Sequence, residues 1–338
     1  MINYVYQLIA PRTITVKYKT LDPAPDRVIV RPDYMAISHA DQRYDKGERD
    51  AAVLKKKLPM ALIHEATGRV VRDPTGHFAV GERVVMIPNQ PGTPLEGVYP
   101  NYLRDSRFFS SGYDGFMREL VDLPADRVVS CEGVEPVQAA ISEFISVAFH
   151  AVARFERAVQ TPVGRIGVWG DGGLGYLVSL VLKYRFPEAK ICVIGLDEVK
   201  MSRFTHADEV HNSTALPADF SVDHAFECCG GSGCYYAGNQ VIDVIRPQGT
   251  LMLMGVSEKE VPYNTRMVLE KGLTFVGCSR SDRPDFEHVV AFLRTPGMAQ
   301  RVARMISEVV EVRSIDDIYH AFDRDLTTPF KTVLHWNL

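Results

Sequence analysis

Arg165-Ile166-Gly167-Val168-Trp169 runs directly into Gly170-Asp171-Gly172-Gly173-Leu174-Gly175, and an apolar helical run, Leu174–Tyr184, follows. A short buried-type strand, a G-x-G-x-x-G turn and a helix occur here in the order that a dinucleotide-binding unit requires. Gly170 would allow the tight turn, Gly172 would let the backbone reach a pyrophosphate, and Gly175 would let the helix pack close to the strand. The helix N-terminus then faces the anionic phosphates. The competing reading is a glycine-rich surface turn, and the strand before and helix after argue against it. Gly170, Gly172, Gly173, Leu174 and Gly175 are therefore the first cofactor-binding candidates.

Further buried-type strands are expected downstream at Lys190–Ile194, Val222–Glu227, Thr250–Met254 and Leu273–Gly277, with helical segments between them. That alternation predicts an α/β fold with a doubly wound parallel sheet. Upstream the texture differs. Short β-branched runs at Arg27–Arg31, Gly68–Val71, Arg83–Ile87 and Glu119–Val121 are separated by Gly and Pro, so a distinct β-rich domain is expected first. The polar, aromatic-dotted stretch from Asn89 to Gly115 reads as a functional loop or lobe. Val137 to Ala158 reads as one long helix. The tail, with a helix near Asp316–Phe322 and a strand near Lys331–Trp336, is expected to return to the first domain.

The 338 residues correspond to about two domains. Hydrophobic residues at 46% and charged residues at 24% let both build a core, which excludes global disorder. A net charge of −4 and the lack of a basic stripe with interleaved aromatics argue against nucleic-acid binding. No apolar run reaches the roughly 18 residues of a membrane span, and the N-terminus does not read as a signal peptide. Six cysteines without a Cys-x-x-Cys pair fit a reducing cytoplasm. The crowded Cys228, Cys229 and Cys234 read as packing residues.

The second strand ends Val193-Ile194-Gly195-Leu196-Asp197. An NAD site usually places a carboxylate at that end for the ribose hydroxyls. Gly195 stands there instead, which removes repulsion against a 2′-phosphate, and Lys200 and Arg203 follow with positive charge. This favours NADP(H). Two features keep NAD open: Asp197 can serve the ribose if the loop bends, and Lys200 and Arg203 can equally lie on a solvated helix face.

His64-Glu65-Ala66-Thr67-Gly68, followed by Gly81-Glu82-Arg83-Val84, resembles the His-Glu-x-x-Gly signature of the zinc-dependent medium-chain alcohol and polyol dehydrogenases. Ile37-Ser38-His39-Ala40-Asp41 takes the place of that family's first-ligand loop, and Ser142-Glu143-Phe144 the place of a further metal-site residue. The residues 39–44, 57–60, 110–117, 223–228, 255–257 and 269–273 resemble the ribulose-5-phosphate reductases more closely. The resemblance covers essentially the whole chain. It implies a β-rich GroES-like catalytic domain over 1–148, a Rossmann domain over 149–284 and a return to the catalytic domain over 285–338. It further implies NADPH-dependent reduction of the C2 ketone of D-ribulose 5-phosphate in a bacterial cytoplasm. The product, D-ribitol 5-phosphate, would feed CDP-ribitol for teichoic acid or capsule, with functional coupling to a cytidylyltransferase. A homo-oligomer built on the late sheet strands is implied as well.

Carried over residue by residue, the resemblance assigns a Zn²⁺ site to His64, Glu65 and Glu143, with Ser38 at the position where the family has a cysteine thiolate. A neutral hydroxyl is a poor ligand in place of a thiolate, so zinc occupancy is in question from the sequence alone. Asp41 is expected to orient His64, and Ala40 offers no hydroxyl for a proton relay. Arg43 and Arg280 are the expected ligands of the substrate phosphate; Arg280 follows a sheet strand, where ligands of open α/β sheets gather. Two alternatives are a polyol or alcohol dehydrogenase acting on an unphosphorylated substrate, and a metal-free nucleotide-binding relative.

Overall fold

The structure is a computed structural model that describes residues 1–21 and 24–338. The chain divides into two units, Met1–Ser146 with Arg280–Leu338, and Val147–Ser279. The expected boundaries were 148/149 and 284/285, so Arg280 itself falls in the first unit, not the second.

Among the described residues, the first unit carries a seven-stranded sheet. Its organiser is Arg27–Ala36, which pairs antiparallel with Glu65–Arg72 on one side and with the late strand Lys331–Trp336 on the other. Val28, Ile29 and Val30 are fully buried, as β-branched residues on a covered pleat should be. The register slips at Pro32, which has no N–H for the ladder. Opposite it stands Gly68, where a Cβ would lie 2.3 Å from the Arg31 carbonyl oxygen. Val121–Pro124 pairs with the first half of Arg27–Ala36. The strand expected at Glu119–Val121 therefore begins later. The Glu119 and Leu120 amides are taken by Tyr4 O and Asn3 Oδ1 instead.

A three-stranded sheet of the same unit joins Ile2–Ala10 to Thr13–Thr20 and Met60–Ala61. This hairpin was not expected from the sequence. Its turn carries no glycine; Arg12 takes the left-handed conformation at φ +56° and donates its amide to Asp45 O.

Among the described residues, the second unit is built on six parallel strands. Their order is Glu209–Asn212, Lys190–Gly195, Arg165–Trp169, His224–Glu227, Thr250–Leu253, Thr274–Gly277. The order reverses beside Arg165–Trp169, which puts the glycine turn at the switch point where ligands of such sheets bind. Glu209–Asn212 is a strand the sequence reading did not separate. The long helix expected over Val137–Ala158 is two helices, Pro136–Ala139 and Ser142–Ala158, divided by a turn.

Gly175 and Gly172 differ sharply in surroundings. A Cβ at Gly175 would sit 1.9 Å from the Gly170 carbonyl oxygen, while one at Gly172 would meet nothing within 4 Å. Gly175→Ala should therefore lower stability by about 3 kcal/mol through forced overpacking, and Gly172→Ala should stay within about 1 kcal/mol. Urea-unfolding midpoints of the two variants check the contrast.

Candidate active site

Glu65 opens the strand Glu65–Arg72 and His64 precedes it, so both are delivered by the start of an interior strand of the first unit's main sheet. Glu143 lies in the first turn of Ser142–Ala158. One ligand atom from each of His64, Glu65 and Glu143 lies within 4.8 Å of the others, and all three residues are buried or nearly so. His64 Nε2 is 4.0 Å from Glu143 Oε2. Burial pushes the Glu65 carboxyl up to about 7, against the pull of Lys331. Burial, then the charge of Glu65, push Glu143 up to about 8. Burial lowers the His64 pKa, and Asp41 opposes that shift. The imidazole is thus held neutral, the form that ligates metals.

This donor set suits a divalent cation. Glu65 Oε1 is held by the Lys331 ammonium, whereas Glu65 Oε2 is buried with no hydrogen-bond partner. An orphaned carboxylate oxygen beside a second carboxylate and a neutral imidazole is costly unless a cation completes it. One nitrogen and two oxygen donors leave room for further ligands, as an open zinc site does.

Ser38 and Asp41 have different roles from those expected. Ser38 caps the helix His39–Asp45: its hydroxyl donates to Asp41 Oδ2 at 2.6 Å and accepts from the Asp41 amide at 3.1 Å. Asp41 does not hydrogen-bond His64, since Oδ2 and Nδ1 are 3.9 Å apart. Its carboxylate, fully buried, accepts from Ser38 N, Ser38 Oγ, Ile63 N and Ser110 Oγ. Asp41 therefore fixes the backbone before His64 and anchors the lobe that carries Ser110, and it supports His64 indirectly.

Several site residues escaped the sequence reading. Lys331 donates to Glu65 and, at 3.1 Å, to Ile37 O, with its ammonium 4.6 Å from the Phe144 ring centroid. Phe108, from the short strand Arg107–Phe108, packs 5.3 Å from the His64 ring and 4.9 Å from the Arg280 guanidinium. The stretch Asn89–Gly115 thus supplies Phe108 and Ser110. Arg280, an expected phosphate ligand, is half-buried beside this ring and feels the charge of Glu143. Arg43, the other, lies in the last turn of His39–Asp45. Ile63, Ser110 and Arg280 all have left-handed backbones, at φ +68°, +59° and +59°. Such strain concentrates at functional sites.

In the second unit, Gly170 turns at φ +135° and Gly172 caps Gly173–Arg185 without any side-chain hydrogen bond. The first-turn amides, including those of Gly173 and Leu174, and the open space over Gly172 form a cradle suited to a phosphate. Gly195 has a second reason to be glycine: a Cβ there would lie 2.6 Å from Asp171 Cβ. Asp171 accepts from Leu196 N and Asp197 N, at 2.7 and 2.8 Å. Asp197 caps the short helix Glu198–Met201 and pairs loosely with Lys200 at 3.8 Å; Arg203 follows that helix.

Comparison with known proteins fits this architecture. The alcohol dehydrogenase GroES-like domain family matches residues 24–133, and the zinc-binding dehydrogenase family matches residues 188–295. A ribulose-5-phosphate reductase of Streptococcus pneumoniae is 48% identical, over 100% of this chain and 98% of its own. Ribulose-5-phosphate reductase 2 of Staphylococcus aureus is 45% identical over the whole of both chains. The crystal structure of S. aureus TarJ in complex with NADPH superposes with a TM-score of 0.89 at 42% identity, covering both chains fully. L-Idonate 5-dehydrogenase of Escherichia coli, at 19% identity and TM-score 0.86, shares the fold. The chain accordingly belongs to the zinc-binding medium-chain dehydrogenases, with a GroES-like and a Rossmann domain, in the branch of the ribulose-5-phosphate reductases.

Proposed function

We propose that this chain reduces D-ribulose 5-phosphate to D-ribitol 5-phosphate with NADPH, delivering hydride to the C2 ketone. The observation that carries this reading is full-length identity of 44–48% to four proteins named as ribulose-5-phosphate reductases. The NADPH complex of a 42% identical structure supports the cofactor. The product would feed CDP-ribitol for teichoic acid or capsule, next to a cytidylyltransferase. Among the described residues no helix is long and apolar enough to cross a membrane, and a cytoplasmic place is part of the proposal. So is a homo-oligomer, with Thr274–Gly277 at one end of the parallel sheet as the pairing edge.

When bound, NADPH supplies the hydride and a zinc ion supplies the positive charge that polarises the ketone oxygen. His64, Glu65 and Glu143 are the residues that would hold the ion. Lys331 holds one oxygen of Glu65 and leaves the other to face the cluster. Gly170, Gly172, Gly173, Leu174 and Gly175 would bind the pyrophosphate, and Lys200 and Arg203 the 2′-phosphate. Arg280 would take the substrate phosphate, since a guanidinium can grip phosphate through two parallel hydrogen bonds.

The first test pairs zinc content per chain with NADPH oxidation on D-ribulose 5-phosphate, for this chain and for Ser38→Cys. Turnover that depends on zinc is expected in both. Ser38→Cys should bind zinc more tightly, because a thiolate is a soft anionic donor and a neutral hydroxyl is a poor one. No oxidation by either form would remove the substrate assignment, and full turnover without zinc would remove the metal's role.

The raised carboxyls predict a pH dependence. Without metal, the folded chain keeps protons on Glu65 and Glu143 up to about pH 7 and about pH 8, where an unfolded carboxyl has long released them. Stability of the metal-stripped protein should therefore fall as pH rises from about 5 to about 8. Zinc must displace both protons below about pH 7 and one between about 7 and about 8, so its affinity should climb about a hundredfold and then about tenfold per pH unit until the carboxyls ionise. Urea unfolding and competitive zinc titration at several pH values measure both, and Glu143→Gln should flatten both trends.

Arg280→Met should raise KM for D-ribulose 5-phosphate on the order of a hundredfold. Arg280→Lys should recover part of the loss, because an ammonium keeps the charge but not the two-pronged grip. Steady-state kinetics on both variants decide this. Equal KM values in wild type and Arg280→Met would move the phosphate elsewhere.

A further inference from the structure

Arg280 is the residue at which the chain re-enters the first unit, and its left-handed backbone is disfavoured for any residue with a side chain. Its two successors are both anchored. Asp282 takes an ion pair from the buried Arg127 and its amide donates to Asp285 Oδ2 at 2.9 Å, at the head of the helix Arg283–Arg294. Ser281 is 3% exposed, and its Oγ lies 2.6 Å from Ser146 Oγ. Ser146, fully buried, gives its only hydroxyl hydrogen to the Glu143 carbonyl oxygen at 2.6 Å. A hydroxyl has one hydrogen, so Ser281 is the donor in the serine pair.

The result is a directed chain of hydrogen bonds, from Ser281 to Ser146 to the Glu143 backbone. One end is covalently next to Arg280, whose guanidinium lies over Phe108. The other end is the residue whose carboxylate completes the cluster with His64 and Glu65. The serine pair thus works as a short strut between the anion-binding turn and the turn that bears Glu143.

We propose that Ser281 is a positioning residue: its hydroxyl sets the spacing between Arg280 and the His64–Glu65–Glu143 cluster, and through it the distance from phosphate to carbonyl that a substrate must have. The strut makes the site a ruler for phosphorylated ketoses. This rests on the reading of Arg280 as the phosphate ligand. The substrate's phosphate and ketone are joined by a carbon chain of fixed bond count, which caps their separation, and displacement of a binding group by about an ångström is enough to affect rate strongly.

The test compares kcat/KM with NADPH for D-ribulose 5-phosphate and for unphosphorylated D-ribulose, in wild type, Ser281→Ala, Ser281→Thr and Ser146→Ala. The preference for the phosphorylated sugar is the readout. It should drop about tenfold in Ser281→Ala and Ser146→Ala, chiefly through KM for the phosphorylated sugar, and return in Ser281→Thr, which keeps the hydroxyl. A merely structural role would lower both efficiencies in proportion. An unchanged preference in the alanine variants, or a proportional loss on both sugars, overturns the proposal. NADPH fluorescence titration confirms that each variant is folded, and Ser146→Ala breaks the same bond if Ser281→Ala fails to fold. A wild type with no preference for the phosphorylated sugar overturns the phosphate reading itself, and the ruler with it.

Discussion

The catalytic unit is organised by one buried carboxylate. Asp41 accepts four hydrogen bonds, two from Ser38, one from the Ile63 amide and one from the Ser110 hydroxyl. Those donors come from three separate stretches of chain: the first helix cap, the segment just before His64, and the lobe after the sheet. Each bond to an ionised group is worth about 1.5–3 kcal/mol. The left-handed backbones of Ile63 and Ser110 cost on the order of 1–3 kcal/mol each. One of these bonds falls on the Ile63 amide itself, which holds a β-branched residue at φ +68° next to His64. If Asp41 lost its charge, the balance would turn, and His64, Phe108 and Ser110 would all lose their common reference point.

Around that anchor the charges are deliberately unfinished. Glu65 and Glu143 are like charges in a buried place, and Lys331 answers only one oxygen of one of them. Burial first, and for Glu143 the charge of Glu65 second, raise the carboxyl pKa values to about 7 and about 8 against the pull of Lys331. A group of this kind either holds protons or holds a cation. Ser38 does not change the sum: it brings no charge, and its hydroxyl hydrogen is already given to Asp41. What the cluster offers a cation is therefore two carboxylates and one imidazole, a harder donor set than one that includes thiolate.

Much of this was legible in the sequence where the signal is local. Arg165–Trp169 and Lys331–Trp336 have the bounds the pattern gives, because buried strands show as apolar runs. His64, Glu65 and Glu143 were found as residues by motif and resemblance, and the geometry brings them together. What was hidden is what folding alone assembles. Lys331 reaches Glu65 across 266 positions, and Ser110 reaches Asp41 across 69. The N-terminal hairpin was missed because Arg12, not glycine, takes the left-handed turn, held there by Asp45 O. The motif suggests Asp41 as a partner of His64, because metal-bound imidazoles are commonly oriented by a carboxylate. Its oxygens instead serve backbone and hydroxyl donors, a choice that only distances reveal.

Gly195 shows how one residue can answer to a constraint that its local sequence does not display. Its lack of a carboxylate suggests that repulsion against a 2′-phosphate is removed, and a side chain there would have no space in any case. In the structure that space is already occupied by Asp171, which arrives from the glycine turn itself. A carboxylate is thus present after all at the end of the second strand. It is turned onto the backbone, however, accepting from the amides of Leu196 and Asp197, while Asp197 in turn caps the helix that follows. Carboxylates that are occupied with backbone amides are poorer acceptors for ribose hydroxyls, and amide dipoles pointing at them offset part of their charge. Lys200 and Arg203 then follow on a turn whose negative groups have been tied down. The acid at this strand end is thus not removed but turned onto backbone amides.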